Sequence, residues 1–231
     1  YLDRQPDEPY TSKNVFESYN STFRYLVNVY SWITNETDPS GQANHYTPSS
    51  DECVCVFTGR PFAQWNNSTW SVSTEDQTGL SYYTTYYKGI REASYFIANV
   101  GRCPELSPAE ALEWAAEARF LRAYYHFLLA QAWGDVPLRV KATTSPNPND
   151  VQMAATPQEQ VLKWCADEIE ATIPDLYEPI DNTPSRVSQT VAQGILARVY
   201  LFMAGESVKQ IDGLDKKEMY RRAAYWANEV I

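Results

Sequence analysis

The sequence predicts an all-α protein, a helical bundle or solenoid of paired helices with one long irregular excursion. Three observations lead there. The stretch Ser107–Pro137 carries helix signals at both ends and an apolar middle. Five other segments repeat apolar residues at three- and four-residue spacing. Only Cys53–Phe57 alternates as a short strand would.

The central stretch opens with Ser107 as N-cap, Pro108 at the first helical position and Glu110 as capping-box partner. It closes at Gly134, and Pro137 forbids continuation. A helix of about 26 residues follows, about 39 Å long at 1.5 Å per residue. Glu110, Glu113 and Glu117 are expected on a wet face, with Leu112, Ala115 and Ala116 on the apolar one. From Phe120 to Trp133 the helix is apolar nearly all round, so this half is expected to enter the middle of the bundle.

Before it, residues 1–10 read as an extended arm, and Thr11 to about Ile33 as a helix using Val15, Phe16, Tyr19, Phe23, Leu26, Val27 and Tyr30. Residues 34–76 form the excursion, rich in Ser, Thr, Asn, Gly and Pro yet carrying Tyr46, Phe57, Phe62, Trp65 and Trp70. An irregular segment of about 40 residues is long for a compact domain and is usually functional or disordered. Its aromatic content argues against disorder. Leu80–Val100 is a second helix, ended by Gly101.

After the central helix, residues 138–155 are a polar connector. Thr156-Pro157-Gln158-Glu159 reads as a second capping box, opening a helix that buries Leu162, Cys165 and Ile169 and stops at Pro174. A helix over Ser188–Ala204 is expected to bury Val191, Ile195, Leu196, Val199 and Phe202. The last begins at Asp215, with Glu218 three residues on, and carries Met219, Ala223, Trp226 and Val230. Leu196, Ala197 and Tyr200, then Ala223, Ala224 and Ala227, have the small/large rhythm of tetratricopeptide-type pairs and point to stacking. Tyr225, Trp226, Val230 and Ile231 are still in helical rhythm. Residues 1–231 are therefore expected to be a piece of something longer.

Composition narrows the function. The net charge is −10 and no basic run exists, which argues against nucleic acid or an anionic membrane as the main partner. No apolar run approaches the roughly 18 residues of a membrane-crossing helix. Cys53, Cys55, Cys103 and Cys165 fit no zinc spacing, and no metal or cofactor is expected. Only His45 and His126 are available to activate a nucleophile, and His126 reads as a packed helix residue. The acidic neighbours Asp51-Glu52 and Glu75-Asp76 are too close in sequence to flank a scissile bond. With 9 glycines and no Gly-rich phosphate loop, nucleotide chemistry is not expected either. What remains is binding. The 17 Tyr and 7 Trp offer flat faces with polar tips, suited to protein interfaces and to sugars.

One run is more specific than composition. Glu117-Ala118-Arg119-Phe120-Leu121-Arg122-Ala123-Tyr124-Tyr125-His126-Phe127, continuing through Trp133-Gly134-Asp135-Val136-Pro137-Leu138, closely resembles the signature helix of the SusD/RagB family. His126 stands where the family usually has Tyr, and Trp133 where it has Phe. Leu2-Asp3-Arg4-Gln5-Pro6, Ser50-Asp51-Glu52, Tyr87 with Gly89-Ile90, Ala98-Asn99-Val100, Ser185-Arg186-Val187 and the run from Ala192 to Leu201 resemble further family segments in the same order. Family members run to about twice this length or more, so the resemblance implies that residues 1–231 are the N-terminal helical portion of a longer chain, its C-terminal portion absent. The resemblance implies a helical, tetratricopeptide-like scaffold on the cell surface at the outer membrane, attached only through an N-terminal lipid anchor outside this chain. It implies a SusC-like TonB-dependent transporter as partner, an oligosaccharide as ligand, a role in polysaccharide utilization and nutrient uptake, and no enzymatic activity. The alternative is a helical interaction scaffold or lid on the transporter, with peptide or another nutrient as ligand.

The signature does not carry the ligand site, so candidates come from the excursion. Tyr46, Trp65 and Trp70 are expected to stack on sugar rings, and Asn66 and Asn67 to bond hydroxyls. Arg119 and Arg122 lie in an increasingly apolar helix and need carboxylate or carbonyl partners. They are expected, with Trp133, Gly134, Asp135 and Pro137, to be structural.

Overall fold

The computed structural model describes residues 15–34, 68–69, 71, 82–142, 152–178, 185–211 and 213–231. The arm, the strand at Cys53–Phe57 and the candidates Tyr46, Trp65, Asn66, Asn67 and Trp70 lie outside the described residues. Six α-helices are present among them: α1 (Tyr19–Tyr30), α2 (Tyr82–Asn99), α3 (Pro108–Trp133), α4 (Gln158–Thr172), α5 (Gln189–Met203) and α6 (Lys216–Asn228). Short 3-10 turns extend α2 over Val100–Arg102 and α4 over Ile173–Asp175.

Most helices begin where a side chain takes up an otherwise unpaired N–H. For α3 the capping box is complete: the Glu110 amide donates to Ser107 Oγ at 3.2 Å, and the Ser107 amide to the Glu110 carboxylate at 2.9 Å. Ser188 caps α5 and Asp215 caps α6, the latter through a 2.7 Å bond from the Glu218 amide. Helix α1 starts later than the apolar spacing suggested. Ser18 is extended and caps it through the Ser21 amide, leaving Val15 and Phe16 buried in a preceding turn.

Helix α4 differs from the sequence reading in its cap. Thr156 does not cap; its backbone pairs antiparallel with Val136, at 3.0 and 3.2 Å. Pro157 occupies the N-cap position, with no side-chain bond. The Gln158 amide instead donates to Asp135 Oδ1 at 2.9 Å, so a residue 23 positions earlier supplies the cap.

Helix α3 is the hub. It packs most extensively with α2 and α4, while α1 leans on α2 and α3, and the α5–α6 pair joins through α4. Gly89 permits the tightest approach: a Cβ there would stand 2.7 Å from the Tyr125 ring. That ring is fully buried, and its hydroxyl donates to the Val29 carbonyl at 2.6 Å, joining α1, α2 and α3 at one point.

Two further expectations are corrected. Glu117, read as wet, is 0% exposed, whereas Leu112, read as core, is 53% exposed. The seam of α3 runs through Trp114, Glu117, Ala118 and Leu121, because α1 lays Tyr19 and Phe23 against Trp114. Val191 is exposed, on the side of α5 turned away from the buried Leu196 and Tyr200, while Ile195 and Phe202 are half-buried.

Candidate functional site

The described part of the signature run forms two polar knots, both built on α3. In the first, Arg119 grips Glu168 of α4 with two bonds, Nε at 2.9 Å and a terminal nitrogen at 3.1 Å. Arg122, only 8% exposed, reaches the same carboxylate at 2.9 Å and the Val140 carbonyl at 2.6 Å. The guanidinium of Arg122 also lies over the Trp164 ring, 5.7 Å from its centroid. Burial alone would raise the Glu168 carboxyl; the two arginines outweigh it and hold its pKa below the ordinary carboxylate value. Its position three residues after the buried Cys165 was the available sequence signal for an acid on the α3-facing side.

His126 sits one turn further along, fully buried. Its Nε2 accepts the Arg139 amide at 3.0 Å, which leaves Nδ1 to donate to the Arg122 carbonyl at 2.8 Å. Both ring nitrogens are engaged by backbone, and burial pushes the imidazole pKa down to about 4. A ring so held is neutral at pH 7 and braces the segment after Pro137.

That segment carries the Gly-Asp-Val-Pro end of the signature. Gly134 takes φ +73°, a positive-φ conformation open chiefly to glycine, which stops α3 and turns the chain. Asp135 then caps α4, Val136 pairs with Thr156, and the Pro137 carbonyl accepts the Tyr87 hydroxyl of α2 at 2.8 Å. Gln158 returns a bond to the Ala130 carbonyl of α3 at 2.7 Å, and Trp133 meets Tyr83 edge-on at 5.5 Å. Four consecutive residues thereby fix α2, α3 and α4 together.

The second knot was missed in the sequence. The buried Glu117 accepts from Tyr30 of α1 and from Arg186, which precedes α5. Arg186 also reaches Glu113 at 3.0 Å and lies near the rings of Trp114 and Tyr177. The Val187 amide donates to the Tyr30 hydroxyl at 2.9 Å. Burial raises the pKa of Glu117 despite Arg186 and Tyr30, which pull it down. Arg186 is separated from Glu117 by 69 residues and Tyr30 by 87, so no local pattern announced the trio.

Among the described residues no group of His, Cys, Asp and Glu could hold a metal ion, and no helix is long and apolar enough to cross a membrane. Cys103 and Cys165 are buried free thiols.

The architecture is that of a helical scaffold whose polar side chains tie one helix to the next. Residues 1–201 match the family model SusD-like_3, described as starch-binding associating with outer membrane, and the chain belongs to that SusD-like family. No curated protein sequence matches it. Solved structures are similar in fold. A SusD-like protein of Bacteroides fragilis superposes with a TM-score of 0.74 at 17% identity, covering 94% of this chain and 39% of that one. A laminarin-binding SusD-like protein gives 0.73 at 19% identity, covering 93% and 44%. B. fragilis NanU gives 0.68 at 20% identity, covering 98% and 44%. The chain thus spans less than half the length of each of these structures.

Proposed function

We propose that the chain is the helical portion of a cell-surface protein that captures an oligosaccharide and passes it to a SusC-like TonB-dependent transporter. In this reading a lipid on a cysteine upstream of Tyr1 holds the protein at the outer membrane. The observation that carries it is the match of residues 1–201 to a family described as starch-binding and associating with the outer membrane. The similarity of fold to a laminarin-binding protein supports carbohydrate as the ligand class.

The described helices hold and the excursion reads. Tyr46, Trp65 and Trp70 stack on the apolar faces of sugar rings, and Asn66 and Asn67 bond the hydroxyls. The protein binds without turning its ligand over. A glycan array with the full-length protein identifies the ligand, and titration then gives the affinity. Trp65→Ala or Trp70→Ala lowers that affinity roughly tenfold or more, equivalent to about 1.4 kcal/mol. Unchanged affinity in both variants removes the excursion as the site. A second reading, a scaffold that docks on the transporter with its ligand elsewhere, draws on the inward use of Arg119, Arg122, His126 and Arg186. Binding to the transporter with no affinity for any glycan selects it.

A further inference from the structure

Residues 137–140 run back along α3 as a strap, Arg139 beside His126 and Val140 beside Arg122. Among the described residues no backbone–backbone hydrogen bond holds them. Three side chains do so instead. The Tyr87 hydroxyl of α2 donates to the Pro137 carbonyl at 2.8 Å, the Arg139 amide donates to His126 Nε2 at 3.0 Å, and Arg122 donates to the Val140 carbonyl at 2.6 Å. All four strap residues are only half-buried, so little apolar burial stands behind these bonds.

The middle bond depends on a protonation state. A neutral imidazole has one donor and one acceptor nitrogen, and here the acceptor is Nε2, because Nδ1 donates to the Arg122 carbonyl. A proton on Nε2 would set two N–H groups head to head in a fully buried site. No carboxylate is free to welcome the charge. The ring faces Tyr87 from α2, Trp164 from α4, Arg122 from its own helix and Arg139 from the strap. Glu168 of α4 is already engaged by Arg119 and Arg122.

We propose that His126 makes the strap an acid-operated latch: protonation of its imidazole releases residues 137–140 from α3 while the helices stay packed. The ties between α3 and α4 do not pass through the strap. Arg119 and Arg122 hold Glu168, Gln158 bonds the Ala130 carbonyl, and Asp135 caps α4 from before Pro137. Opening brings the ring to water, where it takes a proton at its ordinary pKa of 6.5 rather than the latched value of about 4. The open form therefore binds the additional proton between these values. The latch is fully held above pH 6.5 and weakens as pH falls towards 4. The inference is independent of which ligand the protein binds.

The test is amide hydrogen exchange in the full-length protein at pH 7 and pH 5, corrected for the intrinsic pH dependence of exchange. Linkage makes the opening constant about 20-fold larger at pH 5. Protection of the Arg139 amide falls by that factor, while protection of the Leu129 amide, inside α3, is unchanged. In His126→Gln, whose side-chain amide holds the same two backbone groups without titrating, Arg139 is equally protected at both pH values. Constant Arg139 protection in the wild type overturns the proposal, as does an equal fall at Leu129 or the same fall in His126→Gln. Should that variant misfold, an NMR titration of the wild-type ring replaces it. His126 then takes up its proton in step with the opening at Arg139, and protonation without loss of Arg139 protection overturns the proposal.

Discussion

The α3–α4 junction and the α5–α6 pair are both helix pairs, yet they are finished to different degrees. At the first, Arg119, Arg122, His126 and Asp135 engage partners on α4 or on the segment leading to it. At the second, the apolar side chains of Leu201, Tyr220 and Ile231 remain in water. A buried guanidinium or carboxylate is tolerated only with a partner, so the first junction can exist only complete. An exposed tyrosine or alanine carries no such penalty, so the second stands one-sided.

The comparison predicts a ranking of substitutions. Arg186→Ala is the most damaging, costing about 3–5 kcal/mol by leaving Glu117 buried without its counter-charge. Denaturant unfolding that shows wild-type stability would mean that Glu117 is not held as described. Next is pH. The imidazole of His126 has a pKa of about 4 in the folded chain against an ordinary 6.5, so the unfolded chain binds the additional proton between these values. The His126 contribution is intact above pH 6.5 and is lost as pH falls towards 4, a span worth roughly 3 kcal/mol. His126→Gln flattens the dependence in that window while Glu168, with its lowered pKa, keeps its own at lower pH. Third, Asp135→Ala removes the cap of α4 and costs about 1 kcal/mol; a melt indistinguishable from wild type would assign the cap to solvent. Last, Tyr220→Ser in the 231-residue chain changes stability by less than about 0.5 kcal/mol. A larger loss would show that the outer face of α6 is already engaged.

How far the sequence revealed these features depended on the reach of the interaction. Helix α3 was legible at both ends, since Ser107, Pro108, Glu110 and Gly134 act within a turn of where they stand. The cap of α4 was not, because Asp135 supplies it from across a connector and the Thr156 pattern imitates a local box. Glu117 read as a solvent residue by charge and spacing, and only the arrival of Tyr30 and Arg186 in space makes it core. The signature helix identified the family, while its own polar groups turned inward. The ligand candidates came from a different stretch, chosen for its chemistry, and lie outside the described residues.

The division between a holding region and a reading region is the central claim, and one titration addresses it. The full-length protein is titrated with the oligosaccharide its glycan array selects, at a temperature where every variant is folded. The account predicts that Trp70→Ala loses affinity by roughly tenfold or more while Glu168→Gln, which loosens the α3–α4 junction, binds as wild type. Undiminished binding by Trp70→Ala together with loss of binding by folded Glu168→Gln would contradict it.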